Sequence, residues 1–78
     1  MTCEYDPTEK EMETSVNNFT YHPPKGTQAQ RYEEIRGAAA QLSDMFLREC
    51  PPSRERSLAI TKLEEAVMWA NASIARNE

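Results

Sequence analysis

The chain has 78 residues, of which nine are Lys or Arg and thirteen are Asp or Glu, so its formal net charge is −4. This length allows one small domain, close to the lower limit at which a single chain supports its own hydrophobic core. The negative charge argues against a broad basic surface for DNA or RNA polymers, and the absence of any apolar run of about 18 residues argues against a membrane-spanning helix.

The N-terminus indicates the cellular compartment. Residues Met1 to Asp6 are acidic and contain no apolar stretch, so they do not match a secretory signal peptide. We therefore expect a cytoplasmic protein with reduced thiols, in which Cys3 and Cys50 are not joined by a disulfide.

The acidity is concentrated in the first 20 residues, where five acids oppose Lys10 and give a net charge of −4, while residues 21–78 are neutral. We predict an acidic N-terminal segment over residues 1–18 and a helical hairpin domain for ligand binding and oligomerisation over residues 19–78. An alternative of equal weight is that the acidic segment is only a solubilising tail on a neutral helical body.

The first predicted element is a short helix over residues 7–14. Asp6 is a candidate N-cap, Pro7 occupies the first helical position, and Asn17-Asn18 ends the helix. An extended stretch follows, because Pro23 and Pro24 each disfavour a helical conformation in the preceding residue.

Two long helices follow, and their apolar residues recur at spacings of three and four. The pair Thr27 and Gln30 fits a capping box, so the second helix is predicted over 27–49, up to Pro51-Pro52. Ser53 is the candidate N-cap of the third. The apolar stripes are Tyr32, Ile35, Ala39, Leu42 and Phe46, then Ile60, Leu63, Val67, Ala70 and Ile74. Because the connection is short, we predict an all-α fold with an antiparallel αα-hairpin.

The last helix has a second apolar face. Met68 and Trp69 cannot both lie on its stripe, since successive helical residues point about 100° apart. An uncovered patch of this kind is typical of an interface, so we predict assembly into a helical homo-oligomer. The alternatives are that the N-terminal segment folds over Trp69 in a monomer, or that this face docks on another protein.

The sequence does not indicate an enzyme. His22 is the only histidine, and nothing at a motif spacing suggests a nucleophile and base. The cysteines belong to no metal motif, and neither a metal nor a cofactor is expected. A small enzyme acting on cyclic nucleotides would need His22 or Glu64 as its general base.

Aromatic and basic residues cluster around the start of the second helix. Rings are supplied by Phe19, Tyr21 and His22, cations by Lys25, Arg31 and Arg36. Rings can stack on bases, while cations and helix amides bind phosphates, so the cluster suits a small nucleotide. In the alternative, Phe19 and Tyr21 pack onto the hairpin and Lys25 is solvated. A lesser cluster is Asn71, Arg76 and Asn77, which would otherwise be a frayed terminus with Arg76 neutralising the helix dipole.

Four runs of sequence resemble a known family: FTYHPPKG at 19–26, RYEEIR at 31–36, SRERSLA at 53–59 and TKLEEAVMWAN at 61–71. They are similar to the small phage proteins that sequester cyclic oligonucleotides and thereby counter CBASS, the cyclic-oligonucleotide-based antiphage signalling system. The same hairpin is shared with phage sponges directed at Thoeris defence. The resemblance covers residues 19–78.

This resemblance implies a homo-oligomer, a hexamer in the family, that acts in the cytoplasm of the infected host and holds its ligand without cleaving it. Cyclic dinucleotides would bind between protomers, with Tyr21 stacking on a base, Lys25 and Arg36 neutralising phosphates, and His22 beside them. Asn71 and Arg76 are the candidates for a second site, for cyclic trinucleotides. The preferred base is left open, as are cyclic ADP-ribose derivatives.

Overall fold

The computed structural model describes residues 5–78, and these residues form three helices and no strand. The helices are α1 (Glu9–Asn18), α2 (Gln28–Glu49) and α3 (Arg54–Asn77). The last two pack against each other as an antiparallel hairpin, as predicted. Within residues 5–78, no helix combines the length and apolarity needed to cross a membrane.

The first helix starts later than predicted. Thr8, not Asp6, is its N-cap: the Thr8 hydroxyl accepts a hydrogen bond from the Glu11 amide at 3.1 Å, and the Glu11 carboxylate accepts one from the Thr8 amide at 2.9 Å. A start at Asp6 would place the Thr8 hydroxyl inside the first turn and lose this reciprocal pair. These contacts with Thr8, mainly the backbone one, hold the pKa of Glu11 below its usual value. The helix also runs four residues beyond its predicted end at residue 14, to Asn18, so that the Asn pair forms its last two residues.

The predicted capping box at the start of α2 is wrong. Thr27 has a near-helical backbone with φ −88° and ψ 7°, and its side chain caps no amide. Its hydroxyl instead accepts a hydrogen bond from Arg31 Nε at 3.1 Å, and Gln30 donates to Glu34 at 3.2 Å. An N-cap normally needs an extended backbone to turn its side chain back onto the helix, and Thr27 does not supply it.

The turn between α2 and α3 satisfies its own polar groups. Ser53 is the N-cap of α3, as predicted, and accepts a hydrogen bond from the Arg56 amide at 3.1 Å. The Arg56 guanidinium donates to the carbonyl oxygens of Leu47 and Cys50, each at 3.2 Å. Arg56 therefore binds carbonyl groups that the end of a helix leaves without partners, a role that the sequence analysis did not identify.

Of the two cysteines, the structure describes only Cys50. Cys50 is half-buried at the turn and forms no disulfide within residues 5–78. Cys3 lies outside the described residues, so the expectation that the two are not joined remains a prediction.

The hairpin on its own does not complete a core. The stripe residues of α3 are half-buried, as are those of α2 apart from Leu42, which is exposed, and no apolar side chain among residues 5–78 is fully buried. The accessible surface is 6679 Å², whereas a compact monomer of this mass exposes about 4,800 Å². The radius of gyration is 17.7 Å, against about 12 Å for a compact chain of this length.

The second apolar face is uncovered, as predicted. Trp69 is 58% exposed and Met68 is exposed beside it, so α1 does not fold over Trp69. The apolar residues of α1 are bare as well: Met12, Val16 and Phe19 are all exposed, Phe19 to 89%. Phe19 and Tyr21 therefore do not pack onto the hairpin, which removes that alternative for both rings.

Candidate functional site

A groove lies at the open end of the hairpin, where α2 begins and α3 ends. Its volume is about 360 Å³, and its walls combine rings, cations and small polar or apolar residues: Asn18, Thr20, Tyr21, His22, Tyr32, Arg36, Asn71, Ala72, Ala75 and Arg76. No carboxylate lines it. A cavity of about 490 Å³ along α1 is lined by Glu9 and Glu13 and by no Lys or Arg, so it is less suited to an anionic ligand.

The groove unites residues that the sequence analysis assigned to two sites. Tyr21, His22 and Arg36 come from the first candidate cluster, and Asn71 and Arg76 come from the second. They meet because the hairpin is antiparallel, which makes the first turns of α2 neighbours of the last turns of α3. The antiparallel hairpin predicted from the sequence already implies this proximity.

The two arginines of the groove differ from the paired cations elsewhere in the chain. Neither Arg36 nor Arg76 forms an ion pair with any residue of the described range, whereas Arg48 is paired with Asp44 at 2.8 Å. Both guanidinium groups are therefore available to a ligand. A guanidinium can bind a phosphate through two parallel hydrogen bonds, so this groove is electrostatically suited to phosphate groups.

Two tyrosine rings accompany the arginines. Tyr21 is 81% exposed, so its ring is open to stacking. Tyr32, on α2, also lines the groove, although the sequence analysis assigned it only to the apolar stripe. Its position one helical turn before Arg36 places the two side chains on the same face, and this spacing could have identified it.

His22 lines the groove but is also an anchor. Its Nε2 lies 2.8 Å from the carbonyl oxygen of Asn17, and because a carbonyl only accepts, Nε2 donates. The Asn17 side chain in turn donates to the backbone carbonyl of Arg76 at 3.3 Å. These bonds fasten the extended segment to α1, and α1 to the end of α3.

Lys25 does not line the groove. It belongs to a neighbouring cavity of about 190 Å³, together with His22, Pro23, Gln28, Ala75 and Glu78. His22 lines both cavities, so a ligand that reached Arg36 and Lys25 at once would have to pass this side chain. The carboxylate of Glu78 also lies in the cavity of Lys25 and opposes its charge.

Arg31, which the sequence analysis counts among the cations of the cluster, is engaged by another part of the chain. It donates to both carboxylate oxygens of Glu78, with the Nη1–Oε2 distance at 2.7 Å. Gln28 Nε2 donates to Glu78 Oε1 at 3.4 Å. The hydrogen bonds from Arg31 and Gln28 lower the pKa of Glu78 to about 2, and the bond to Glu78 raises the pKa of Arg31.

Asn71 contributes a polar atom without a partner. Its Oδ1 is buried and accepts no hydrogen bond from the residues that the structure describes. An unsatisfied buried acceptor costs about 1–3 kcal/mol. Asn71 lines the groove and carries this buried, unsatisfied oxygen, whereas Arg36 and Arg76 of the same groove are exposed to solvent.

The described residues contain no group of three or more His, Cys, Asp or Glu side chains close enough to hold a metal ion. The titratable side chains lining the groove are two tyrosines, one histidine and two arginines. This composition suits the binding and orientation of an anion.

The fold is that of a small helical hairpin protein, and the groove at its open end carries two arginines and two tyrosines. The family model described as the Acb2/Tad1 hairpin domain matches residues 12–75, and the chain belongs to this family. It is the family of phage anti-CBASS and anti-Thoeris sponges, as the sequence resemblance indicated, and it is a binding, non-catalytic family. Comparison with curated proteins and with solved structures finds no match.

Proposed function

We propose that this protein is a phage immune-evasion protein that binds and sequesters cyclic oligonucleotide second messengers without cleaving them, and so prevents activation of CBASS effectors. It would act in the cytoplasm of the infected bacterial host. The observation that carries the proposal is the groove in which Arg36 and Arg76 lie without ion-pair partners beside the open ring of Tyr21.

The chemistry of a cyclic dinucleotide matches this arrangement. Such a ligand presents two phosphates and two flat bases, which correspond to the two guanidinium groups and the rings of Tyr21 and Tyr32. The groove volume of about 360 Å³ falls at the lower end of the range for small-molecule sites, about 300–1,000 Å³. One chain thus supplies part of a site for a ligand of this size.

We further propose that the protein works as a homo-oligomer, with the hexamer implied by the family resemblance as the expected form. The support is the missing core, since Trp69, Met68 and Phe19 are exposed in one chain. Association would bury these side chains, and each Å² of apolar surface removed from water would stabilise the oligomer by about 25 cal/mol. A neighbouring protomer could also close the groove and shield the bound ligand from solvent.

We propose cyclic dinucleotides as the main ligands and cyclic trinucleotides as a second class. Cyclic dinucleotides come first, with Tyr21, His22 and Arg36 in the groove and Lys25 at its margin. Because Asn71 and Arg76 line the same groove, we propose that within one chain they belong to the same site. A cyclic trinucleotide bound by Asn71 and Arg76 would therefore compete with a dinucleotide, unless the neighbouring protomer separates the two sites.

Calorimetry tests this function directly. The protein is titrated with a panel of cyclic dinucleotides and cyclic trinucleotides, together with cyclic ADP-ribose derivatives, and each ligand is recovered afterwards. We expect binding of at least one cyclic oligonucleotide and its recovery in chemically intact form. Failure of the whole panel to bind, or recovery of a cleaved product, would contradict the proposal.

A second candidate function is a helical interaction module that docks on another protein through Trp69. The exposure of Trp69 in the single chain is the observation that favours it. Light scattering separates the two: a stable oligomer supports the sponge, whereas a stable monomer at micromolar concentration supports the docking module.

A further inference from the structure

We propose that Gln28, Arg31 and Glu78, here called the Glu78 latch, position the segment between α1 and α2 for ligand binding without touching the ligand. The inference rests on the proposed function, because that segment carries Tyr21, His22 and Lys25. None of the three latch residues lines the groove. They are therefore positioning residues rather than ligand-binding ones.

Gln28 is the centre of the latch. It is the one buried residue among residues 5–78, at 4% exposure, and it is polar. The side-chain Oε1 of Gln28 accepts a hydrogen bond from the backbone amide of Lys25 at 3.1 Å. The backbone amide of Gln28 donates to the Lys25 carbonyl oxygen, also at 3.1 Å. A buried amide side chain with these partners fixes the backbone at Lys25 relative to the start of α2.

The other side of Gln28 connects to α3. Its Nε2 donates to Glu78 at 3.4 Å, and Arg31 holds the same carboxylate through both of its oxygens. Glu78 directly follows α3, whereas Gln28 and Arg31 belong to the first turn of α2. The latch thus ties the connecting segment and the two long helices together at the open end of the hairpin.

The extended segment depends on few other bonds. At its start, His22 bonds to the Asn17 carbonyl at 2.8 Å, and at its end Lys25 bonds to Gln28. Gly26, with φ +58°, turns the chain into α2. Tyr21 directly precedes His22, whose bond to Asn17 is the first anchor. The backbone from His22 to Lys25 connects it to the second anchor, the bond between Lys25 and Gln28. Loss of the bond between Lys25 and Gln28 would free the backbone at Lys25. Tyr21 and His22, which line the groove, would then be held less firmly.

Electrostatics alone predicts the opposite effect. Glu78 is a carboxylate in the cavity of Lys25, so its removal makes the neighbourhood more positive and should favour an anionic ligand. A positioning role predicts that affinity falls when Glu78 is removed, because preorganisation is lost. The sign of the change therefore distinguishes the two roles.

The test compares Glu78→Ala and Arg31→Lys with the wild type, using calorimetry with the tightest-binding cyclic dinucleotide of the panel. Arg31→Lys keeps the charge but loses the two parallel hydrogen bonds. We expect each variant to bind about tenfold more weakly. Unchanged or tighter binding in Glu78→Ala would overturn the inference. Arg48→Lys is the matched control, because it alters the exposed pair with Asp44 near the hairpin turn and should leave affinity unchanged.

A second readout uses no ligand. Amide hydrogen exchange followed by NMR reports the bond from the Lys25 amide to Gln28, and we expect exchange at Lys25 to become about tenfold faster in both variants. Equal exchange rates in wild type and Glu78→Ala would overturn the latch. If the wild type binds no member of the panel, the proposed function fails, and the exchange rates alone decide whether the latch holds the segment. Circular dichroism confirms that each variant is folded.

Discussion

The two ends of the hairpin are built differently. At the turn, Ser53 and Arg56 satisfy the helix ends, with Arg56 donating to two carbonyl oxygens at 3.2 Å. At the open end, Arg36 and Arg76 lie without ion-pair partners in the described part of the chain, and the Oδ1 atom of Asn71 is buried without a donor. At the turn, Ser53 and Arg56 thus use their polar groups for folding. At the open end the Glu78 latch is likewise engaged within the chain, but the two guanidinium groups of the groove have no ion-pair partner among the described residues.

This contrast indicates where function is located. Arg36 and Arg76 are exposed and can bond to water, whereas a buried polar atom left unsatisfied, such as Asn71 Oδ1, needs a physical reason. At the open end the reason we propose is a bound ligand. Substitutions at the open end should change ligand affinity, whereas substitutions at the turn should change the free energy of unfolding.

The largest effect is expected from Arg36→Ala at the open end. The variant should lose about 1.5–3 kcal/mol of binding free energy for a cyclic dinucleotide, because a charge-assisted hydrogen bond to phosphate is removed. Calorimetry measures this loss. Arg54→Ala, at the start of α3 near the turn, is the matched control. Wild-type affinity in Arg36→Ala would remove Arg36 from the site.

Tyr21→Ala should weaken binding by about 1–3 kcal/mol, the range for loss of one stacked base. Tyr21→Phe keeps the ring and should retain most of the affinity. Tyr5, which is exposed and does not line the groove, provides a control as Tyr5→Ala. If Tyr21→Ala and Tyr5→Ala bind equally well in calorimetry, the stacking role is wrong.

At the turn, Arg56→Ala should lower the free energy of unfolding by about 1 kcal/mol, because two carbonyl groups lose their donor. Denaturant titration followed by circular dichroism measures this change. Ligand affinity per folded molecule should stay the same. A variant as stable as the wild type would show that the turn does not depend on Arg56, and a large loss of affinity would contradict the separation of the two ends.

The smallest effect concerns acid pH. The pKa of Glu78 is about 2 in the folded protein, against an ordinary value of 4.5, and the pKa of Glu11 is also lowered. Groups with lowered pKa values contribute stability above their ordinary pKa and lose it as the pH falls through the folded value. We expect the free energy of unfolding to decrease slightly below about pH 4.5, and to decrease less in Glu78→Gln. An identical acid dependence in both proteins would exclude a contribution from Glu78.

Much of the fold could be predicted from the sequence, because it follows from local signals. The two apolar stripes, the Pro51-Pro52 break and the Ser53 cap each depend on a few neighbouring residues, and the structure contains the hairpin that they predict. The cap at Asp6 was wrong because Thr8, two residues later, offers a competing hydroxyl. Thr27 does occupy the N-cap position of α2, but its near-helical backbone, with φ −88°, comes with no capping hydrogen bond from its side chain, and the sequence does not reveal that conformation.

The groove that we propose as the site contains part of the predicted residue set. Tyr21, His22 and Arg36 were chosen by chemical type, and the structure places them in one groove with Asn71 and Arg76. The pairing of Arg31 with Glu78 joins residues 47 positions apart, so no local pattern could show that this cation is engaged. Lys25 lies in the neighbouring cavity with Gln28 and Glu78, and these two residues are 50 positions apart in the sequence, so the surroundings of Lys25 could not be read from spacing.

The most direct test of the account is to map where a cyclic dinucleotide binds. Titration of the ¹⁵N-labelled protein with the tightest-binding ligand should shift the amide signals of Tyr21, Tyr32, Arg36 and Asn71 at the open end. The signals of Ser53 and Arg56 at the turn should not move. Shifts confined to the turn or to the face around Trp69, or no shifts with any cyclic oligonucleotide, would contradict the assignment of ligand binding to the open end.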